Sequence, residues 1–406
     1  MTKWTVLGAG MILQTILGGV YAWSAFVPSL SGRHALTQAQ CGMIFGLAIA
    51  VFAVAMVPAG RLLPRVGARP LAAVGACLFA AGYLVASFSD GRFPLLLLGI
   101  GVIAGTGIGA AYVCPLAICM QWFPRHKGLV TGLAVAGFGG GAVLLSLVAN
   151  RLLYRAGWDV LQVFRGVGVA GGAVALAAAL LLRAPAPSEA AAAAGRNRPR
   201  PTLGRHALST PFLMLCVGMF SGTFAGLLTV GNLKPYILRA GQSADLAALS
   251  ISLFAFGNAA GRILWGQVHD RLASRTTILL SLALLAAALV PLLFPLPVGV
   301  MLVAIACCGC GFGACFVVYA AAVVQRFGME LFPRLYPLCF LGYGLAGLVA
   351  PGLGGRMADA TGSYVAAVAL CIATLVGAML VIAVASSAAD PPCGAPRNAA
   401  AHGVES

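Results

Sequence analysis

Residues Phe93–Pro124 read FPLLLLGIGVIAGTGIGAAYVCPLAICMQWFP, and none of them carries a charge. A helix on the surface of a soluble domain keeps a polar face, whereas one that is apolar all round belongs in a core or a bilayer. About 20 apolar residues cross the hydrocarbon of a membrane, so this stretch is long enough to span it. Comparable charge-free stretches run on either side. In the first half they are Trp4–Ser31, Ala35–Gly60, Pro70–Ser89, Gly128–Asn150 and Gly166–Leu182. In the second half they are Ala207–Leu233, Leu246–Gly261 continuing past Arg262 to Val268, Leu335–Gly355 and Gly362–Ala389. A further uncharged run, Thr276–Gln325, is too long for one crossing. Pro291, Pro295 and Pro297 divide it into Thr276–Phe294 and Pro297–Gln325. The chain is therefore expected to be an all-α membrane protein with twelve transmembrane helices in two pseudo-symmetric six-helix bundles.

Composition agrees with this reading. Of 406 residues, 61% are hydrophobic and 8% charged, against roughly 25% charged in soluble domains. The net charge of +16 forms no basic domain, because the basic residues are scattered singly between apolar runs, and no nucleic-acid partner is expected. With a cytoplasmic amino terminus the 25 lysines and arginines divide as 16 inside, 6 outside and 3 in or at the edge of spans. That is the inward bias of multi-pass proteins, and the chain is expected in the inner (plasma) membrane with both termini cytoplasmic. The nine acids, Asp90, Asp159, Glu189, Asp245, Asp270, Glu330, Asp359, Asp390 and Glu405, all lie between apolar runs or in tails. Most of the twelve cysteines lie within apolar runs. The densest group, Cys307, Cys308, Cys310 and Cys315, lacks the second pair of a structural zinc site, so neither a metal nor a cofactor is expected. The glycine clusters Gly105-x-Gly107-x-Gly109 and Gly139-Gly140-Gly141 follow no strand and carry no phosphate-binding lysine, and they read as close helix packing.

Residues 183–206 are rich in alanine, proline and arginine and read as a cytoplasmic linker between bundles 1–182 and 207–389. Residues 390–406 read as a disordered tail. The halves repeat one another. Gly105-Thr106-Gly107-Ile108-Gly109 recurs as Gly309-Cys310-Gly311-Phe312-Gly313, and Gln121-Trp122-Phe123 as Gln325-Arg326-Phe327, both at an offset of 204. At an offset of 206, Gly60-Arg61-Leu62-Leu63-Pro64-Arg65 faces Gly266-Gln267-Val268-His269-Asp270-Arg271. Repeated bundles with a site near the midplane between them are the signature of secondary transporters.

The loop motif Gly-x-x-x-Asp-Arg resembles that of the major facilitator superfamily. Its second-half copy ends on Asp270 and Arg271; the first-half copy has Pro64 before Arg65, which puts one interbundle lock in doubt. Tyr21-Ala22-Trp23-Ser24-Ala25-Phe26, Trp122-Phe123-Pro124-Arg125-His126-Lys127-Gly128-Leu129-Val130-Thr131-Gly132 and Ala136-Gly137-Phe138-Gly139-Gly140-Gly141-Ala142 are similar to the oxalate/formate antiporter family and to the monocarboxylate porters of animals. The resemblance covers nearly the whole chain outside linker and tails.

Arg262 is the sharpest single feature. An arginine within a span is costly and normally faces a bundle interior or aqueous cavity with a partner, and no intramembrane carboxylate exists to pair with it. Two readings are open: its guanidinium takes an organic anion, for which its planar fork is suited, or it snorkels to headgroups past Ile263–His269. Asn258, four residues earlier, shares its helical face and either contacts the substrate or packs between helices. Tyr112 and Tyr319 lie about 19 and 22 residues into the fourth and tenth spans and Arg262 about 16 into the eighth; at about 1.5 Å per residue these depths agree within a turn or two. The two tyrosines either wall one small cavity or pack in helix interfaces.

The resemblance implies that Arg262 is the substrate-binding arginine, that Tyr112 and Tyr319 line the site, and that Tyr21, Phe138 and Tyr343 belong to it. It also implies a lysine on the eleventh helix in the oxalate carrier, where Tyr343-Gly344-Leu345-Ala346 places Ala346. One cation instead of two favours a substrate with one carboxylate. Lys234, at the end of the seventh span, reads as an entrance or interfacial residue. The expected protein is thus a carrier, not an enzyme: a monomer in the lipid bilayer that moves a small organic anion, with protons as coupling ion. Its rivals are an oxalate/formate-type exchanger, a multidrug cation exporter, which would need a membrane acid, and a membrane receptor or enzyme. A receptor would be expected to add a soluble output domain, an enzyme a nucleophile with its base.

Overall fold

The computed structural model describes residues 2–185, 203–295 and 297–387. Most of the expected linker and all of the expected tail lie outside them. Helical structure resumes at Leu203–Ala207, which begins within the expected linker. Twelve described helices are long and apolar enough to cross a membrane. In the first half they are α1 Lys3–His34, α2 Ala39–Val66, α3 Ala68–Ser87, α4 Phe93–Trp122, α5 Lys127–Arg155 and α6 Val160–Leu180. In the second they are α7 Thr210–Arg239, α8 Asp245–Arg271, α9 Ser274–Leu293, α10 Val298–Phe327, α11 Phe332–Thr361 and α12 Val365–Val384.

Several helices run past the charges that bound the apolar stretches. α2 continues through Arg61 and Arg65, α6 begins before Arg165, and α11 begins before Arg334. A long basic side chain at a helix end keeps its head in the polar interface while its backbone stays helical, so the charge limits the apolar run and not the helix. Large apolar side chains such as Phe256 and Val384 are 71% and 70% exposed on the outside. A soluble protein avoids such a surface, and a bilayer covers it.

The two halves meet along α2 against α11 and α5 against α8. Small residues permit the second contact: a Cβ at Gly132 of α5 would collide with the backbone carbonyl of Arg262 in α8. Two local distortions matter for the site. A 3-10 turn, Gly19–Ala22, interrupts α1 and carries Tyr21. In α10 the helix gives way to a turn between its two segments Val298–Ala314 and Val318–Phe327. Across it Cys315, Phe316 and Val317 donate their amides three residues back, to Phe312, Gly313 and Ala314. This tightened turn changes the direction in which Phe316 and its neighbours project.

Candidate functional site

Arg262 is completely buried, and it is the largest of the fully buried side chains. Its guanidinium turns away from the helix end and into the seam between the bundles. Nε donates to Asn258 Oδ1 at 3.1 Å, Nη1 donates to the Val135 carbonyl of α5 at 2.6 Å, and Cζ lies 4.5 Å from the centre of the Phe316 ring. Nη2 has no hydrogen-bond partner among the described residues. Snorkelling is thus not the conformation observed. The surroundings of the cation are a side-chain amide, a peptide carbonyl and an aromatic face, all of them neutral dipoles. No described Asp or Glu is buried, so the charge is desolvated without being neutralised, an arrangement that favours an anion at the remaining donor.

Around it stands an aromatic cluster drawn from both halves. Tyr112 of α4 packs edge-on against Phe138 of α5 at 5.3 Å, and Phe138 against Tyr21 of α1 at 5.3 Å. Phe52 of α2 touches Tyr112, Phe138, Phe340 and Tyr343. From the other half, Phe316 meets Tyr343 at 5.3 Å, and Phe340 meets Tyr343 at 4.9 Å and Tyr112 at 5.3 Å. The hydroxyls of Tyr21 and Tyr343 hydrogen-bond to each other across the seam. Tyr336 donates to the Phe316 carbonyl at 3.4 Å, a group that lies in the broken part of α10. The Tyr112 hydroxyl has no hydrogen-bond partner among the described residues.

The structure therefore brings together Arg262, Asn258, Tyr112, Phe138, Tyr21 and Tyr343. Ala346, fully buried one turn beyond Tyr343, leaves α11 without a cation there. Tyr319 stands apart, with its hydroxyl against Gly218 of α7 and with Cys315 and Cys339 as neighbours. The turn in α10 is the reason: it presents Phe316 to the guanidinium, and Tyr319 then points into the second bundle. Lys234 is exposed. Phe52, Phe316, Tyr336 and Phe340 were not singled out in the sequence. Tyr336, Phe340 and Tyr343 follow the i, i+4, i+7 spacing of one helical face, a signal that was available. Phe316 had none, because its placement depends on the turn.

A second junction lies at the helix ends. The Asp270 carboxylate accepts the backbone amides of Gly128 at 2.7 Å and Leu129 at 2.9 Å. The start of α5 has no side-chain cap of its own at His126, so α8 of the other bundle supplies one, and its charge also meets the positive end of the α5 dipole. The pseudo-symmetric junction cannot form. Pro64 stands in place of the acid, Pro333 has no amide, and the Phe332 amide is taken by the Gly328 carbonyl at 3.2 Å. Arg65 and Arg271 are exposed and make no salt bridge among the described residues. Replacing Asp270 by Ala should cost the clasp about 1 kcal/mol, the scale of a helix cap, and shift the balance between closed and open at this end about fivefold. Spin labels at Arg125 and Arg271, in a cysteine-free background, should report a broadened, longer distance distribution. An unchanged distribution would show that packing alone holds this end.

Twelve membrane-length helices in two bundles, with a buried cation and an aromatic cluster on the seam, define a helical membrane carrier. The model of the Major Facilitator Superfamily matches residues 7–337, and the chain belongs to that family of transporters. It is 27% identical over 354 residues to the uncharacterised MFS-type transporter YhjX of Escherichia coli (strain K12), covering 86% of each chain. It is 23% identical to the oxalate:formate antiporter of Oxalobacter formigenes, covering 88% of this chain and 85% of that one. Against human monocarboxylate transporter 11 it is 27% identical, covering 89% and 78%. Among solved structures it resembles the transporter FucP in the outward conformation, with a TM-score of 0.72 at 15% identity over 94% of this chain and 97% of the other. The proton:xylose symporter XylE gives the same TM-score at 13% identity, covering 94% and 95%.

Proposed function

We propose that this transporter carries small monocarboxylates of the lactate, pyruvate or formate type by alternating access around Arg262. The single observation behind the reading is the fully buried guanidinium with Nη2 unpaired and no buried carboxylate among the described residues. A small anion entering the seam takes that donor and is enclosed by Tyr21, Phe52, Tyr112, Phe138, Phe316 and Tyr343, which leaves little room for a bulky tail. Ala346 supplies no second cation, so a second carboxylate would be buried without a partner, at considerable cost. Relatives named as an oxalate:formate antiporter and as a monocarboxylate transporter support the class of substrate. The bias of Lys and Arg supports a cytoplasmic position at the inner membrane for the Asp270 end and both termini, and in this reading the clasp described above closes the cytoplasmic entrance. The transporter works as a monomer.

The proton is the coupling ion in this reading. With no buried acid among the described residues to carry it, the substrate carboxylate itself accepts it, because burial beside Tyr112 and Phe138 disfavours the charged form while Arg262 favours it, and the balance changes with the geometry of each state. Exchange is the competing scheme, favoured by the antiporter relative: Arg262 is then always neutralised by one anion or another and no proton moves. Proteoliposomes loaded with no organic anion and given only an inward proton gradient should accumulate labelled lactate or pyruvate. Uptake that appears only when a second carboxylate is trapped inside would replace symport with exchange.

A further inference from the structure

Gln14 of α1 is completely buried. Its Nε2 donates to the backbone carbonyl of Tyr112 at 3.2 Å, while its Oε1 has no hydrogen-bond partner among the described residues. The donation to a carbonyl fixes which end of the amide is oxygen, so the unpaired atom is an acceptor. Leaving such an atom buried and unmade costs about 1–3 kcal/mol.

The helix α5 serves as a ruler for its height. A Cβ at Gly137 would lie 2.6 Å from the Met11 carbonyl and 3.0 Å from Thr15 Oγ1, the residues that flank the Gln14 position on α1. Two residues to either side, the Val135 carbonyl accepts from Arg262 Nη1, and a Cβ at Gly139 would lie 3.7 Å from Arg262 Cζ. Gln14 and the guanidinium therefore occupy one layer of the protein, with Tyr112 and α5 between their helices.

That layer holds an unsatisfied donor, Arg262 Nη2, an unsatisfied acceptor, Gln14 Oε1, and the Tyr112 hydroxyl, which is also unpaired among the described residues. A carboxylate meets the first and repels the second. We propose that Gln14 sets substrate specificity by accepting a hydrogen bond from a hydroxyl on the substrate, so that 2-hydroxy monocarboxylates are preferred over their 2-oxo counterparts. The inference rests on the anion-binding role proposed for Arg262. Both acids carry one charge at neutral pH and differ at C2, where the hydroxyl donates and the keto oxygen only accepts. A site built to pair a hydroxyl discriminates strongly against the analogue that lacks it.

Binding of lactate, pyruvate and propionate to the purified full-length transporter, measured calorimetrically, tests this. The unsubstituted protein should bind lactate at least about tenfold more tightly than pyruvate or propionate. Gln14→Met, which keeps length and removes the amide, should bring the lactate-to-pyruvate ratio close to one. If Gln14 only steadies the Tyr112 carbonyl, the variant weakens all three ligands alike and the ratio stays, which overturns the proposal. Pyruvate binding as tightly as lactate to the unsubstituted protein overturns it without any variant. Binding that depends on Arg262 but shows no lactate preference removes this inference alone, whereas no monocarboxylate binding at all removes the role of Arg262 with it.

Discussion

Arg262→Ala should weaken monocarboxylate binding about thirtyfold or more in a protein that still folds and elutes as a single species. The physical case has two halves. Truncating one partner of a buried, hydrogen-bonded charge pair costs about 2–5 kcal/mol, so affinity falls about thirtyfold at least. Stability should suffer much less, because the charge is buried without a carboxylate among the described residues. Its removal takes away two hydrogen bonds and a ring contact but also a large desolvation penalty. Arg262→Lys should rescue poorly. An ammonium is a point charge without the fork that lets Nη1 hold the Val135 carbonyl while Nη2 stays available. Titration calorimetry beside size-exclusion chromatography reads both halves. A folded alanine variant with undiminished affinity would end the case for Arg262 as the anion ligand.

The second large effect is expected at Asn258, whose amide oxygen accepts from Arg262 Nε at 3.1 Å. Asn258→Asp places an anion where a neutral dipole now stands. The guanidinium then has a resident counter-ion, and the substrate must compete with it. A hydrogen bond between charged groups contributes about 1.5–3 kcal/mol, so affinity at neutral pH should drop about tenfold or more relative to the unsubstituted transporter. The sign of the pH dependence follows. As pH falls the introduced carboxyl gains a proton and becomes neutral like the amide it replaced, so affinity relative to the unsubstituted protein should recover on acidification and be lost on alkalinisation. Binding constants for both proteins across pH check it, and parallel profiles would show that Asn258 does not bear on the charge of Arg262. Since the substrate titrates equally in both experiments, the ratio isolates the introduced group.

The sequence by itself determined the class of fold. Charge-free runs longer than a bilayer is thick leave few alternatives, because a backbone in hydrocarbon must satisfy its own hydrogen bonds, and the offsets of 204 and 206 between motifs show the two halves. Arg262 was legible for the same reason: a single charge inside a span is conspicuous when so little else is polar. Asn258 followed from helical periodicity, and Pro64 already marked the junction that lacks its acid. What the sequence left open was direction. Periodicity gives a side chain's angle around a straight helix, and α10 is not straight. The turn at Cys315–Val317 brings Phe316 to the guanidinium and leaves Tyr319 against Gly218, a choice that depends on carbonyls freed locally and capped by Tyr336 from another helix. Snorkelling or inward placement of Arg262 was likewise undecidable along the chain, since the Val135 carbonyl that receives Nη1 lies 127 residues away. Asp270 could be recognised as part of a motif, but that it caps the first amides of α5 is a property of two helix ends meeting. Gln14 was invisible for the same reason, because an unpaired acceptor exists only once every neighbour has been placed.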